Sequence, residues 1–271
     1  MTGHLAVLLL CLAGPLQSWG GASEYNVRET QPQPTKSGVT GLLAAAAGRH
    51  RHEPIADLVG LRMGVRVDQP GSLLRDYHTV SDYRGRPLLS SQVNAKGQQK
   101  HTTPAKYTHV TRRYYLQDAV FVVALQGPEE LIEELEQAVR APAFPLALGR
   151  RSCPPSRPLV LGVRRGEQAD DLYAAMRSVP WQASAHERRR RRGPRVRLAA
   201  TIEVPAAEAT AADVYPVADV PVSFDLRTGG GRTTRYVRHT WLWIPTGQDA
   251  APPTPVSMPA AAEHDPFELL G

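Results

Sequence analysis

Leu5-Ala6-Val7-Leu8-Leu9-Leu10-Cys11-Leu12-Ala13 is the stretch on which the fold turns. Two structures suit such a run: the apolar core of a signal peptide, with Ala22 as its cleavage position, or a β-strand buried on both faces. No Lys or Arg precedes it, only His4, whereas a signal peptide needs a positive segment there. The run is also too short to span a bilayer. A buried strand explains the run as well as a signal peptide does, and the missing positive segment favours the strand. Gly14-Pro15 and Gly20-Gly21 then bracket a loop that carries Gln17 and Trp19, where a tryptophan is more often a core plug than a stacking platform.

Outward from this strand the chain alternates between the two periods of regular structure. Ser23 to Pro34 is polar and loop-like, and Thr35-Lys36-Ser37-Gly38 opens an alanine-rich helix to about Arg49. Its positive end, with free N–H groups and Lys36, is a ready anion site, compatible with ordinary capping by Thr35 or Ser37. Pro54 starts a short helical piece, Ile55 to Val59. Leu61, Met63, Val65 and Val67 alternate with Arg62, Gly64, Arg66 and Asp68. That period of two predicts a half-buried strand with its basic side toward solvent or ligand. Pro70 to Leu116 is a long insertion rich in basic and aromatic residues, too long for a structureless loop in a compact domain unless it is functional or disordered. Ala119 to Leu125 is an apolar strand, and Gly127-Pro128-Glu129-Glu130 starts a helix with its acids in the first turn. Leu131, Ile132, Leu135, Ala138 and Val139 form that helix's core stripe, Pro142 ends it, and Leu159 to Val163 is a further strand. The order β-α-β-(insertion)-β-α-β predicts an α+β, ferredoxin-like βαββαβ domain of the kind RNA-recognition motifs use.

Leu148-Gly149-Arg150-Arg151-Ser152-Cys153-Pro154-Pro155, running on to Arg157, joins the second helix to the last of these strands. Gly149 suits a sharp turn or a close backbone approach. The arginines offer donor forks that match phosphate oxygens or the acceptor edge of guanine. A solvated basic turn explains the same residues equally well.

This stretch is similar to the matching segment of the CasD family, RAMP-superfamily proteins that hold the 5′ handle of guide RNA in type I-E CRISPR Cascade complexes. Leu12 to Gly20 resembles the family's N-terminal signature. Pro34 to Gly38 with Gly41-Leu42-Leu43 resembles the start of its first helix. Arg75 to Val80, with Tyr83-Arg84-Gly85 and Arg113 to Leu116, resembles its central insertion. Together these cover roughly residues 5 to 165. The resemblance implies a domain over 1–165 with a β-hairpin thumb at about 70–116, lying against guide RNA and a neighbouring backbone subunit. It implies RNA contacts by Gln17, Trp19, Lys36, Ser37, Arg75, Tyr77, His78, Arg112, Arg113 and Tyr114, and by Gly149, Arg150, Arg151, Ser152 and Arg157. The partners it implies are the guide RNA handle and the Cascade backbone and large subunits in the cytoplasm, with target DNA near the protospacer-adjacent motif as a further candidate.

Beyond residue 165 the sequence says less. A β-rich extension over 166–244 is expected. Asp170 to Met176 reads as a helical turn, and Val196 to Val204 and Tyr236 to Ile244 read as strands with Gly229-Gly230-Gly231 between them. These strands suit either a second small sheet or a continuation of the first. Arg188 to Arg192 is a self-repelling run expected to be a mobile loop. The Pro/Ala-rich segment from 245 to 271 is expected to be disordered, and Phe267-Glu268-Leu269-Leu270 within it could dock.

Composition fits a binder. The chain has 271 residues, 42% of them hydrophobic, with a formal net charge of +6, enough for a real core and suited to polyanionic partners. The two cysteines, Cys11 and Cys153, have neither metal-knuckle nor CxxC spacing, so no metal, cofactor or disulfide framework is expected. The enzyme alternative is metal-independent cleavage of repeat RNA, with His78, Tyr77 and Lys36 as candidate acid or base groups. The resemblance favours a non-catalytic role, since a separate subunit cuts in the type I-E arrangement.

Overall fold

The computed structural model describes residues 4–21, 26–81, 108–191, 193–225, 227 and 231–247. In chain order the strands and helices begin with β1 (Leu5–Ala13), β2 (Leu16–Gln17), β3 (Val27–Arg28), α1 (Lys36–Ala46), α2 (Ala56–Val59) and β4 (Arg62–Gln69). There follow β5 (Ser72–Ser81), β6 (Thr108–Gln117), β7 (Val120–Pro128), α3 (Glu129–Arg140) and β8 (Val160–Arg165). The last part holds α4 (Glu167–Asp170), α5 (Leu172–Arg177), α6 (Ala185–Arg190), β9 (Arg195–Val204), β10 (Val214–Pro221) and β11 (Arg232–Pro245).

The apolar run at the start is a strand because both its faces are covered. Ala6, Leu8, Leu10 and Leu12 enter a core shared with α1 and α3, while Val7 and Leu9 enter a second core with α5, β9 and β11. β7 divides in the same way, Phe121, Val123 and Leu125 against Val122 and Ala124. A strand that buries every side chain shows no alternation in sequence. Each of these leucines contributes about 1.5–3 kcal/mol by leaving water.

β1 lies between β7 and β8 in a seven-stranded sheet of order β10-β11-β9-β4-β7-β1-β8. All its pairings are antiparallel. The fold is a mixed α/β one dominated by antiparallel sheet. β9 joins the edge of β4 through Gly64↔Ile202, Val65↔Thr201 and Arg66↔Ala200. The C-terminal strands thus continue the first sheet. In a second, smaller sheet β6 pairs with β5 along one edge, and with β2 and β3 along the other.

Two expectations need correction. The polar face of β4 does not meet solvent: Arg66 and Asp68 are wholly buried under α5 and the segment after it. Arg66 donates Nε and Nη2 to the two Asp68 oxygens at 2.6 and 2.8 Å, and also to the carbonyls of Met176, Val179 and Pro180. Asp68 also accepts Gln182 N–H at 2.6 Å. The alternation is real, but the C-terminal extension covers the face expected to meet solvent or ligand. The arginine run is likewise no simple loop, since Arg188 to Arg190 form the last turn of α6. Ser184 caps that helix by accepting Glu187 N–H, Glu187 pairs with Arg191 at 3.1 Å, and Ser184 N–H is held by Gln69 Oε1. These contacts offset the self-repulsion. The expected turn at 229–230 and the 248–271 segment with Phe267 to Leu270 lie outside the described residues.

Candidate nucleic-acid interface

β5 and β6 pair over their full length, from Ser72↔Gln117 to Ser81↔Thr108. Opposed residues of an antiparallel pair share a face. One face of this ribbon therefore carries Arg75 opposite Tyr114 and Tyr77 opposite Arg112. Arg75, Tyr77 and Arg112 are exposed and Tyr114 is half-buried. Cations and rings thus alternate diagonally on one open surface, the combination that neutralises phosphates and stacks unpaired bases. The other face holds Asp76 opposite Arg113, with His78 Nδ1 3.9 Å from Asp76, and is more enclosed. The remaining basic and aromatic residues of the insertion (Tyr83, Arg84, Arg86, Lys96, Lys100, Lys106 and Tyr107) lie outside the described residues.

The Gly149 turn docks at the base of this ribbon. Gly149 has φ +86°, and a Cβ there would stand 1.8 Å from Ser18 O. Only glycine fits. Leu148 N–H bonds Cys153 O at 2.7 Å to close the turn, and Leu148 O accepts Ser18 N–H at 3.1 Å. Arg150 is turned inward. It donates to Tyr114 O at 3.2 Å and Arg28 O at 2.8 Å, joining β6 to β3, and its guanidinium lies 4.8 Å from the Tyr115 ring centroid. Arg151 and Ser152 are exposed. The two arginines that look alike in sequence divide into a strut and a surface group. Arg157 is exposed and bonds Gln182 O at 2.7 Å. Both cysteines are buried, and burial pushes the Cys11 thiol up to about 11.

Three residues expected at RNA are internal. Gln17 and Trp19 are wholly buried: Gln17 Nε2 donates to Leu12 O and Ala119 O, and its Oε1 accepts Trp19 Nε1–H at 3.1 Å. Gly38 lets α1 close on the indole, since a Cβ there would lie 2.7 Å from the ring. Trp19 is the core plug. Lys36 is also buried, and its ammonium bonds both Glu203 oxygens at 2.7 and 2.9 Å. Burial lowers its pKa, against the upward pull of Glu203. The start of α1 does hold an anion, but it is the protein's own: Asp219 accepts Lys36 N–H at 2.8 Å, while Thr35 accepts from Gly38. Arg235 completes the cluster by bonding Asp219 at 2.6 and 2.9 Å and Glu203 at 3.4 Å. Ser37 beside it is half-buried. Nothing in local sequence pairs Lys36 with a glutamate and an aspartate more than 160 positions away. That contact exists only because the sheet extends through β9 to β11.

Among the described residues no group of three or more His, Cys, Asp or Glu could hold a metal, and no helix is long and apolar enough to cross a membrane.

Comparison with known proteins finds a family and several relatives. The family described as CRISPR-associated protein (Cas_Cas5) matches residues 7–236. The CRISPR system Cascade subunit CasD of Escherichia coli (strain K12) is 38% identical over 183 residues, which cover 62% of this chain and 75% of that protein. A chain of a CRISPR RNA-guided surveillance complex superposes with a TM-score of 0.66 at 33% identity, covering 88% of this chain and 91% of that one. A crystal structure of a Cas protein superposes at 0.59 and 36% identity, over 87% of this chain and 94% of that one.

Proposed function

This chain belongs to the CRISPR-associated Cas5 family, and from that premise we propose that it is a non-catalytic subunit of a type I-E Cascade complex that holds the 5′ handle of guide RNA. The observation that carries the reading is the open ribbon face on which Arg75, Tyr77, Arg112 and Tyr114 alternate. Arg151 and Ser152 are exposed on the turn that docks at the ribbon's base. In this reading the ribbon is a thumb, with the backbone and large subunits as its other partners in the cytoplasm, and target DNA near the protospacer-adjacent motif within reach of the assembly. The core is ferredoxin-like: the order β4-β7-β1-β8 with α1 and α3 on one face supports that topology. Residues 1–165 form the RNA-binding unit, and 166–244 extend its sheet.

The dispersion of the acid–base candidates supports binding over cutting. Tyr77 and His78 are successive strand residues and point to opposite faces of the ribbon, and Lys36 is committed to Glu203. The full chain should bind repeat RNA without metal, with a log–log salt slope of about −0.7 per phosphate neutralised, and leave it uncut. Tyr77→Ala with Arg112→Ala should weaken binding tenfold or more while leaving thermal stability unchanged, since both side chains are exposed. Specific cleavage abolished by His78→Ala or Tyr77→Phe would overturn the reading and establish an endoribonuclease.

The segment beyond the ribbon can be tested apart from the core. Ser81 and Thr108 are register partners, with their hydroxyls 2.8 Å apart. Replacing 82–107 by Asn-Gly therefore closes a two-residue hairpin. The variant should unfold within a few degrees of the full chain but assemble poorly with guide RNA and the backbone subunit. Loss of folding, read by thermal denaturation, would make the segment part of the core.

A further inference from the structure

A second basic and aromatic surface lies on the far side of β4. On β11, Trp241 and Trp243 are 51% and 55% exposed. Successive same-face residues stand about 7 Å apart along a strand. Opposite Trp243 on β9 is Arg197, and opposite Pro245 is Arg195, both exposed. The Arg197 guanidinium lies 4.3 Å from the centroid of the Trp241 ring. Immediately before β9 the chain carries the arginines of α6, and Pro194 and Gly193 are tied to the end of β11 through Thr246. Neither Arg195 to Thr201 nor His239 to Pro245 contains a carboxylate.

The sheet's register fixes where this surface lies. β9 runs antiparallel to β4, so its Arg195 end lies toward the Gln69 end of β4, from which the β5–β6 ribbon departs. Ser184 N–H on Gln69 Oε1 fastens the start of α6 to the same end. Two exposed indoles with cations across the strand offer stacking to bases and charge to phosphates. An apolar protein partner would account for the tryptophans but would leave the arginines desolvated beside it at a cost.

We propose that the Trp241–Trp243 face, with Arg195 and Arg197, is a second nucleic-acid site that takes a single strand without regard to sequence or sugar. Indole stacking and phosphate pairing read neither base edges nor the 2′-hydroxyl, and a duplex keeps its bases from the rings. This site stands independently of the handle-binding role of the ribbon.

Tryptophan fluorescence of the full chain tests it. The chain has four tryptophans, and Trp19 and Trp181 are buried, so quenching by an added oligonucleotide reports Trp241 and Trp243. Oligouridine and oligothymidine of about ten nucleotides should both quench at low salt, with affinities within about threefold of each other, whereas duplex of equal length should not. Trp241→Ala with Trp243→Ala should remove the quenching and weaken anisotropy-measured binding of both oligomers about tenfold or more. Arg195→Ser with Arg197→Ser should weaken them with the indoles still present. Absence of quenching by either single strand, or oligomer affinity unchanged in the tryptophan variant, would overturn the proposal and leave the face to a protein partner. Repeat-RNA binding of the Tyr77/Arg112 variant, measured in parallel, reports the ribbon separately, so either site can fail without the other.

Discussion

Glu203→Ala should lower unfolding stability by about 3–5 kcal/mol, because it strands a buried ammonium. In the intact protein Lys36 and Arg235 are balanced by Glu203 and Asp219, and Glu203 also accepts Met63 N–H at 3.1 Å. Arg235 keeps both bonds to Asp219 after the substitution. Lys36 keeps no carboxylate on its side chain among the contacts described. Lys36→Met combined with Glu203→Leu removes both charges together and should cost less than Glu203→Ala alone, since a buried pair replaced by apolar groups of similar volume is often neutral. Denaturant titrations of the three proteins measure this. Equal, small losses in both variants would mean that the ammonium reaches water. The same double variant bears on RNA. If Lys36 holds phosphate, the double variant loses affinity for the handle; if it is an internal strut, affinity is retained. The structure predicts retention.

This cluster also marks how far the sequence could be read. β1, α3 and β7 were legible because local periodicity and burial agree in them: a run covered on both faces, an acidic first turn and a stripe at helical spacing. The basic side of β4 was not legible, because alternation identifies two faces without saying what covers the second. α5 and the segment to Gln182, more than 100 residues downstream, supply the cover. Loop position marks Trp19 as a plug, whereas the family resemblance implies an RNA contact. The structure keeps the first. β10 gives no clear sequence signal because Val214 to Pro221 carries two prolines and alternates poorly; it is an edge strand, where missing N–H donors are tolerated. Composition marks Gly149 and its arginines as a turn and the family resemblance implies a site there, but neither can tell a strut from a ligand-facing fork.

Gly149→Ala should be the most informative single change at the turn, lowering stability by about 3 kcal/mol. A left-handed φ costs an alanine about 1–2 kcal/mol, and the turn must also lift from Ser18 and release the Ser18–Leu148 bond, worth about 1 kcal/mol. For a domain of this size that is a fall in Tm of about 6–12 °C. Arg150→Ala should follow in the same direction, since it removes two bonds to β6 and β3 carbonyls and the contact over Tyr115. Arg151→Ala should leave Tm unchanged. Its effect belongs to RNA: affinity for the correct handle should fall by the 1–3 kcal/mol typical of a lost base-edge contact, and by much less for a scrambled sequence. Changing Arg188 to Arg192 to a Gly/Ser mixture should reduce both RNAs slightly and equally. Stability and affinity therefore separate across two adjacent arginines, and melting curves beside binding to both RNAs at one salt concentration read them apart. Equal losses for handle and scramble in Arg151→Ala would reduce the exposed fork to a non-specific phosphate contact. A large Tm drop in that variant would mean that Arg151, like its neighbour, is spent on the fold.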